Sequence, residues 1–141
     1  MQNKLEEIFA LQNKLNSRFG WSQENLLQLS EDERLERVRK YLEVLMVESG
    51  EALLAAKARW WKQEKDWKGW DHLKEEIVDC FHFLASAYLA AGGTAEDFHG
   101  TYVRKNQFNH ERTDWAINEK KDPETDHSQP SAKKEDGEAV S

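Results

Sequence analysis

No proline occurs before position 123 in this chain of 141 residues, and its apolar residues recur at intervals of three and four rather than two. Proline removes an amide donor and clashes with the preceding helical turn, so a stretch this long without one is free to be helical throughout. Three-and-four spacing gathers apolar side chains into one stripe of a helix, whereas a strand face needs strict alternation. The spacing therefore predicts an all-α domain. A first helix is expected over about residues 2–19, with Leu5, Ile8, Leu15 and Phe19 on its stripe and Gly20 at its end. A second opens at the capping box Ser30-Glu31-Asp32-Glu33, in which hydroxyl and carboxylate each satisfy an orphan amide. It continues through Leu35, Val38, Tyr41, Leu42 and Leu45 towards Trp61, about 48 Å at 1.5 Å per residue, with Gly50 marking a bend or a close approach. A third helix runs from near Asp71 to Gly92-Gly93, and a fourth from Thr94 as N-cap to about Trp115.

Four such helices pack most simply as a four-helix bundle. The third (CFHFLASAYLAA) is apolar almost all round and wants neighbours on both sides, which in so small a chain points to a homodimer.

Charge divides the chain. The net charge is −7, but residues 118–141 hold seven acids against four bases, which leaves −4 on residues 1–117. All fifteen aromatic residues lie in that first part and both prolines in the second. A segment so poor in apolar surface cannot offset its ordering entropy, so a folded domain over 1–117 and a disordered polar tail over 118–141 are expected. A single cysteine, Cys80, excludes a disulfide framework and a cysteine-based zinc site, and its place on the third helix's stripe reads as core. The opening residues MQNKLEEIFALQNK carry charge where a signal peptide needs an apolar run, and the longest apolar stretch, residues 83–91, is far too short to span a bilayer. A soluble cytoplasmic protein without a membrane partner is expected, and the acidic balance disfavours nucleic acid.

The chemistry-bearing residues come in two i, i+3 carboxylate pairs, Glu48-x-x-Glu51 and Glu76-x-x-Asp79, each projecting to one side of its helix. Such pairs are common on wet surfaces. Here, however, Glu48 and Glu51 follow the apolar Leu45-Met46-Val47 with no basic residue at Ala52 or Ala55, and His82 and Phe83 continue the side of Asp79. Four converging carboxylates repel unless a cation sits among them, and an all-oxygen donor set favours Mg²⁺ or Mn²⁺. On the last helix, Tyr102, Lys105, Asn106, Asn109 and Arg112 fall within roughly 120° of one another. That face is either an ordinary polar surface or a phosphate clamp.

Taken in order, Glu48-x-x-Glu51, Trp60-Trp61-Lys62, Lys74-Glu75-Glu76-Ile77-Val78-Asp79 with His82-Phe83, and Tyr102-x-x-Lys105-Asn106-x-x-Asn109-x-x-Arg112 resemble the dimeric all-α dUTPases. These form a branch of the MazG-like nucleoside triphosphate pyrophosphohydrolases. The opening Leu11-Gln12-Asn13-Lys14-Leu15-Asn16 resembles that family's first helix, and the likeness covers about residues 5–115. It implies a homodimer that converts dUTP to dUMP and pyrophosphate, with dUDP, which would yield dUMP and orthophosphate, as a neighbouring candidate. Glu48, Glu51, Glu76 and Asp79 would bind Mg²⁺, with Mn²⁺ as substitute, and Glu48 or else Glu51 would activate the attacking water. Lys105, Asn106, Asn109 and Arg112, with Tyr102 beside them, would hold phosphate oxygens. Gln12 and Asn16 would read the base, and Trp61, His82 and Phe83 would wall the base and sugar. Many superfamily members open the first motif with a double Glu, where this chain has Val47, and that departure bears on the number of metals. The competing readings are a MazG-like enzyme acting on another nucleoside triphosphate and a non-catalytic helical interaction module.

Overall fold

The computed structural model describes residues 3–62 and 67–119. Among them are five helices and no strand: α1 (Lys4–Ser17), α2 (Gln23–Leu26), α3 (Glu31–Ala55), α4 (Trp70–Ala90) and α5 (Ala95–Glu119). None is long and apolar enough to cross a membrane. The described residues fall into two units, the first ending at Tyr102 and the second beginning at Val103, so α5 begins in the first and continues in the second. Residues 118 and 119 of the expected tail are the last of α5, and residues 120–141 lie outside the described residues.

Local chemistry sets the helix starts. Asn3 caps α1 and Ser30 caps α3, each with a glutamate three positions on reaching back to the cap amide. Thr94 Oγ1 accepts from the Asp97 amide at 3.1 Å while Asp97 returns the bond to the Thr94 amide, so α5 starts where its sequence indicates.

The ends are less regular. Gly20 and Gly92 stand at φ +81° and +90°, a left-handed turn that glycine adopts without steric cost. α3 stops at Ala55, six residues short of Trp61, because Lys57 takes the same conformation at φ 58°. Its amide donates to the Leu54 carbonyl and that of Ala58 to Leu53, the two bonds of a Schellman motif. Gly50 marks no close approach: α3 runs through it, and a Cβ there would meet nothing within 4 Å.

In the first unit α4 is the shared partner, with α3 lying along it and α1 and α2 packed against it. Its C-terminal half is dry. Ala85, Ser86, Ala87, Leu89 and Ala90 are buried, small side chains that let α1 approach closely. Phe9 of α1 is buried against Ala85, Leu89 and Ala95, and Leu5, Phe81, Tyr88 and Phe98 close around that core. The Phe98 ring stands edge-on to Tyr88 at 5.2 Å, a favoured aromatic geometry. The N-terminal half of α4 departs from the expected stripe. Ile77 is 54% exposed and lines a groove with Ile8, Leu11 and Leu15, and Cys80 is half-buried rather than core.

The short helix α2, which no periodicity announced, fastens this frame. Gln23 Nε2 donates to the carbonyls of Leu89 and Gly93 at 3.0 and 2.9 Å, satisfying acceptors at the end of α4, while its backbone amide donates to Asn13 Oδ1 at 2.8 Å. The Arg37 guanidinium stacks on Trp21 at 3.6 Å.

Two glycine substitutions are expected to act in opposite directions. Gly50→Ala adds a methyl in open space on a helix interior and should stabilise the fold by about 0.5–1 kcal/mol. Gly93→Ala drives its Cβ into the Tyr88 ring and should cost about 1–3 kcal/mol. Urea unfolding of the two variants checks both signs.

Candidate functional site

Two clusters of polar residues form on α4, one facing α3 and one facing α1. On the α3 side, Glu48, Glu76 and Asp79 each offer a carboxylate oxygen, and these oxygens all lie within 4.8 Å of one another. Glu48 and Glu76 are half-buried and Asp79 is exposed. The convergence follows from helical geometry, since the i, i+3 spacing sets Glu76 and Asp79 on one side of α4 and the packing of α3 brings Glu48 to meet them.

Loss of solvent pushes the Glu48 carboxyl above its ordinary range, and the charges of Glu51, Asp79 and Glu76 push it further. Glu51 is exposed and adjoins Glu48 without joining the three-oxygen group. His72, which the sequence reading set aside as a surface or capping residue, places Nε2 3.5 Å from Glu76 Oε1. Its i, i+4 spacing from Glu76 was the available signal. All-carboxylate oxygen donors on two helices have the chemistry that could hold a hard divalent cation.

On the α1 side, Gln12 and Asn16 are buried and hydrogen-bonded to each other, Nε2 of Gln12 donating to Oδ1 of Asn16 at 3.0 Å. Both amides also donate to Ser86 Oγ on α4, at 2.9 and 3.2 Å. His82 Nδ1 lies 2.7 Å from Gln12 Oε1. Gln12, Asn16 and His82 are thus one connected group, and Ser86, 1% exposed, is the member that the sequence reading missed. Its signal was a lone hydroxyl in an otherwise apolar run of α4. Gln12 and His82 also line a groove of about 560 Å³ whose other walls are apolar, Leu11, Val78 and Phe81 among them.

The remaining candidates stand apart from these bonds. Phe83 is half-buried on α4. Trp61 follows α3 in a turn, 64% exposed, with its ring edge-on to Trp60 at 5.8 Å. Tyr102 closes the first unit, 63% exposed. Lys105, Asn106, Asn109 and Arg112 belong to the second unit, where all four are exposed along one helix. Within that unit the Arg112 guanidinium lies 5.9 Å from the Phe108 ring.

The state of Glu48 fixes a pH dependence. A carboxyl raised in the folded protein costs no stability below the ordinary carboxylate range, where it is protonated whether folded or not. Its cost develops as pH rises through the folded value. Glu48→Gln should therefore raise the melting temperature of the metal-free protein by a few degrees near pH 7 and by much less near pH 4. Thermal denaturation in EDTA at the two pH values checks this.

A family model described as dUTPase matches residues 4–95. The matched stretch contains Gln12, Asn16, the four carboxylates, Trp61, His82 and Phe83, and ends before Tyr102 and the cationic residues of α5. No match to this chain is found among curated proteins or solved structures. Because the match spans most of the chain and includes both polar clusters on α4, this all-α protein belongs to the dUTPase family.

Proposed function

We propose that the chain is a Mg²⁺-dependent dUTP pyrophosphohydrolase, cleaving dUTP with water to dUMP and pyrophosphate. The observation that carries the reading is the convergence of Glu48, Glu76 and Asp79 within 4.8 Å. Three like charges held together by packing are stabilised by a multivalent cation, and donors that are all carboxylate oxygens fit Mg²⁺, with Mn²⁺ able to replace it. When bound, the ion supplies Lewis acidity towards phosphate oxygens and lowers the pKa of water.

The chain's own residues do the rest. Glu48, the half-buried carboxylate that α3 brings up to Glu76 and Asp79, is the better placed base for the water that attacks the α-phosphorus. Glu51 adjoins it and completes the ligand set. Lys105, Asn106, Asn109 and Arg112, which Tyr102 precedes in sequence, form a face of α5 whose cations and amides suit phosphate oxygens. Gln12 and Asn16 read the uracil edge, and Trp61, His82 and Phe83 wall the base and the deoxyribose. The enzyme acts as a homodimer in the cytoplasm, with dUTP as its substrate and dUDP as a candidate to be tested beside it. The exposed Ile8, Leu11, Ile77 and Val78 support a further apolar contact of this kind.

Purified protein should release pyrophosphate from dUTP in Mg²⁺ and lose that activity in EDTA. Glu48→Gln should lower the turnover number at least about a hundredfold while the protein stays folded by circular dichroism. Full activity in that variant would remove Glu48 from the catalytic role. In a panel of nucleotides, dUTP should be preferred over dCTP and dATP by at least about two orders of magnitude in kcat/KM. Equal rates would favour a MazG-like enzyme of broad substrate range.

A further inference from the structure

The hydrogen bonds between α1 and α4 admit one arrangement of donors and acceptors. Ser86 Oγ lies 2.9 Å from the His82 carbonyl and 3.3 Å from Asn16 Oδ1, so its single proton goes to the closer acceptor, the carbonyl one helical turn back. The oxygen that remains can only accept, and it accepts from Gln12 Nε2 and Asn16 Nδ2. Both carboxamides must therefore turn their NH₂ groups towards Ser86. The second Gln12 proton goes to Asn16 Oδ1. That leaves Gln12 Oε1 facing His82 Nδ1 at 2.7 Å, and since this oxygen can only accept, Nδ1 must carry the hydrogen. The neutral ring then has Nε2 as its bare acceptor. Asn16 keeps one amide proton with no acceptor among the described residues.

We infer that Ser86 is a positioning residue that sets nucleobase specificity by fixing the orientation of the Gln12 and Asn16 carboxamides and the tautomer of His82. The inference rests on the reading of Gln12 and Asn16 as the groups that meet the base. With Ser86 in place, the cluster offers acceptors at Gln12 Oε1 and His82 Nε2 and one donor at Asn16. Within this set Gln12 Oε1, an acceptor, and the Asn16 proton, a donor, complement the imide N–H of uracil and one of the two carbonyl acceptors that flank it. Cytosine presents a bare ring nitrogen at the same position, beside an amino donor. It would leave buried acceptors facing one another, and unpaired buried groups are what give polar sites their discrimination. Without Ser86 Oγ, each carboxamide loses the acceptor that dictates its orientation. A flipped Gln12 would then present a donor where uracil requires an acceptor.

Two measurements test this. In the free wild-type protein, at a pH where His82 is neutral, ¹⁵N-correlated NMR of the imidazole should show the Nδ1–H tautomer. The Nε2–H tautomer would overturn the inference whatever the enzyme's activity. In Ser86→Ala, the ratio of kcat/KM for dUTP over dCTP should fall at least about tenfold, mainly through a higher KM for dUTP, with the tautomer signal shifting towards Nε2–H. Ser86→Ala that melts earlier yet keeps both the wild-type ratio and the wild-type tautomer would make Ser86 merely structural and overturn the inference. A wild-type enzyme with no preference for dUTP over dCTP would instead sink the base-reading roles of Gln12 and Asn16, a separate failure that the tautomer measurement does not share.

Discussion

Repulsion among three carboxylates, held where α3 meets α4, is the interaction on which the rest of this protein turns. Glu48 comes from one helix, Glu76 and Asp79 from the other, and the contact between those helices is the one that organises the first unit. The fold therefore carries a standing electrostatic cost, visible in the raised Glu48 carboxyl, and on the proposed function a divalent cation bound there would convert that cost into binding. The net acidity of residues 1–117, which at first disfavours a phosphate ligand, is on this account the seat of the cation that attracts one.

The design of α4 makes such a cluster tolerable. Its C-terminal half is buried and built from small residues around Ser86, and the aromatic rings of Phe9, Phe81, Tyr88 and Phe98 pack against one another there. Its N-terminal half is wetter and carries the acids. One rigid helix thus spans two environments, a dry anchor and a charged end, and rigid elements hold charged groups at fixed separation better than loops do. The hydroxyl of Ser86 belongs to the dry half but serves polar residues of α1, an exception made tolerable because Ser86 Oγ itself is bonded as both donor and acceptor.

The sequence was most readable where chemistry is local. Ser30 and Thr94 announced the starts of α3 and α5 because a capping hydroxyl and an acid three residues on act within one turn. The pairs Glu48/Glu51 and Glu76/Asp79 were readable because i, i+3 spacing fixes a shared face. The end of α3 was not, since Ala-Ala-Lys-Ala is a run of good helix formers and the turn depends on Lys57 entering a conformation usually left to glycine. α2 is too short for any periodicity, and its anchor, Gln23, acts on carbonyls more than sixty residues away. Ser86 was hidden for the same reason. Its partners Gln12 and Asn16 sit a whole fold away in sequence, and only the packing of α1 on α4 reveals what one hydroxyl in an apolar helix is for. Cys80 was assigned to the core from one helix's stripe alone, whereas it lies half-buried beside Ser49 of α3.

The central claim is that the carboxylates on α3 and α4 bind a divalent cation that in turn binds the nucleotide. Isothermal titration of the full chain with a non-hydrolysable dUTP analogue, in Mg²⁺ and in EDTA, tests it most directly. The account predicts saturable binding in Mg²⁺, its loss in EDTA, and its loss in Asp79→Asn. Binding of equal strength with and without the metal, or no binding under either condition, would contradict it.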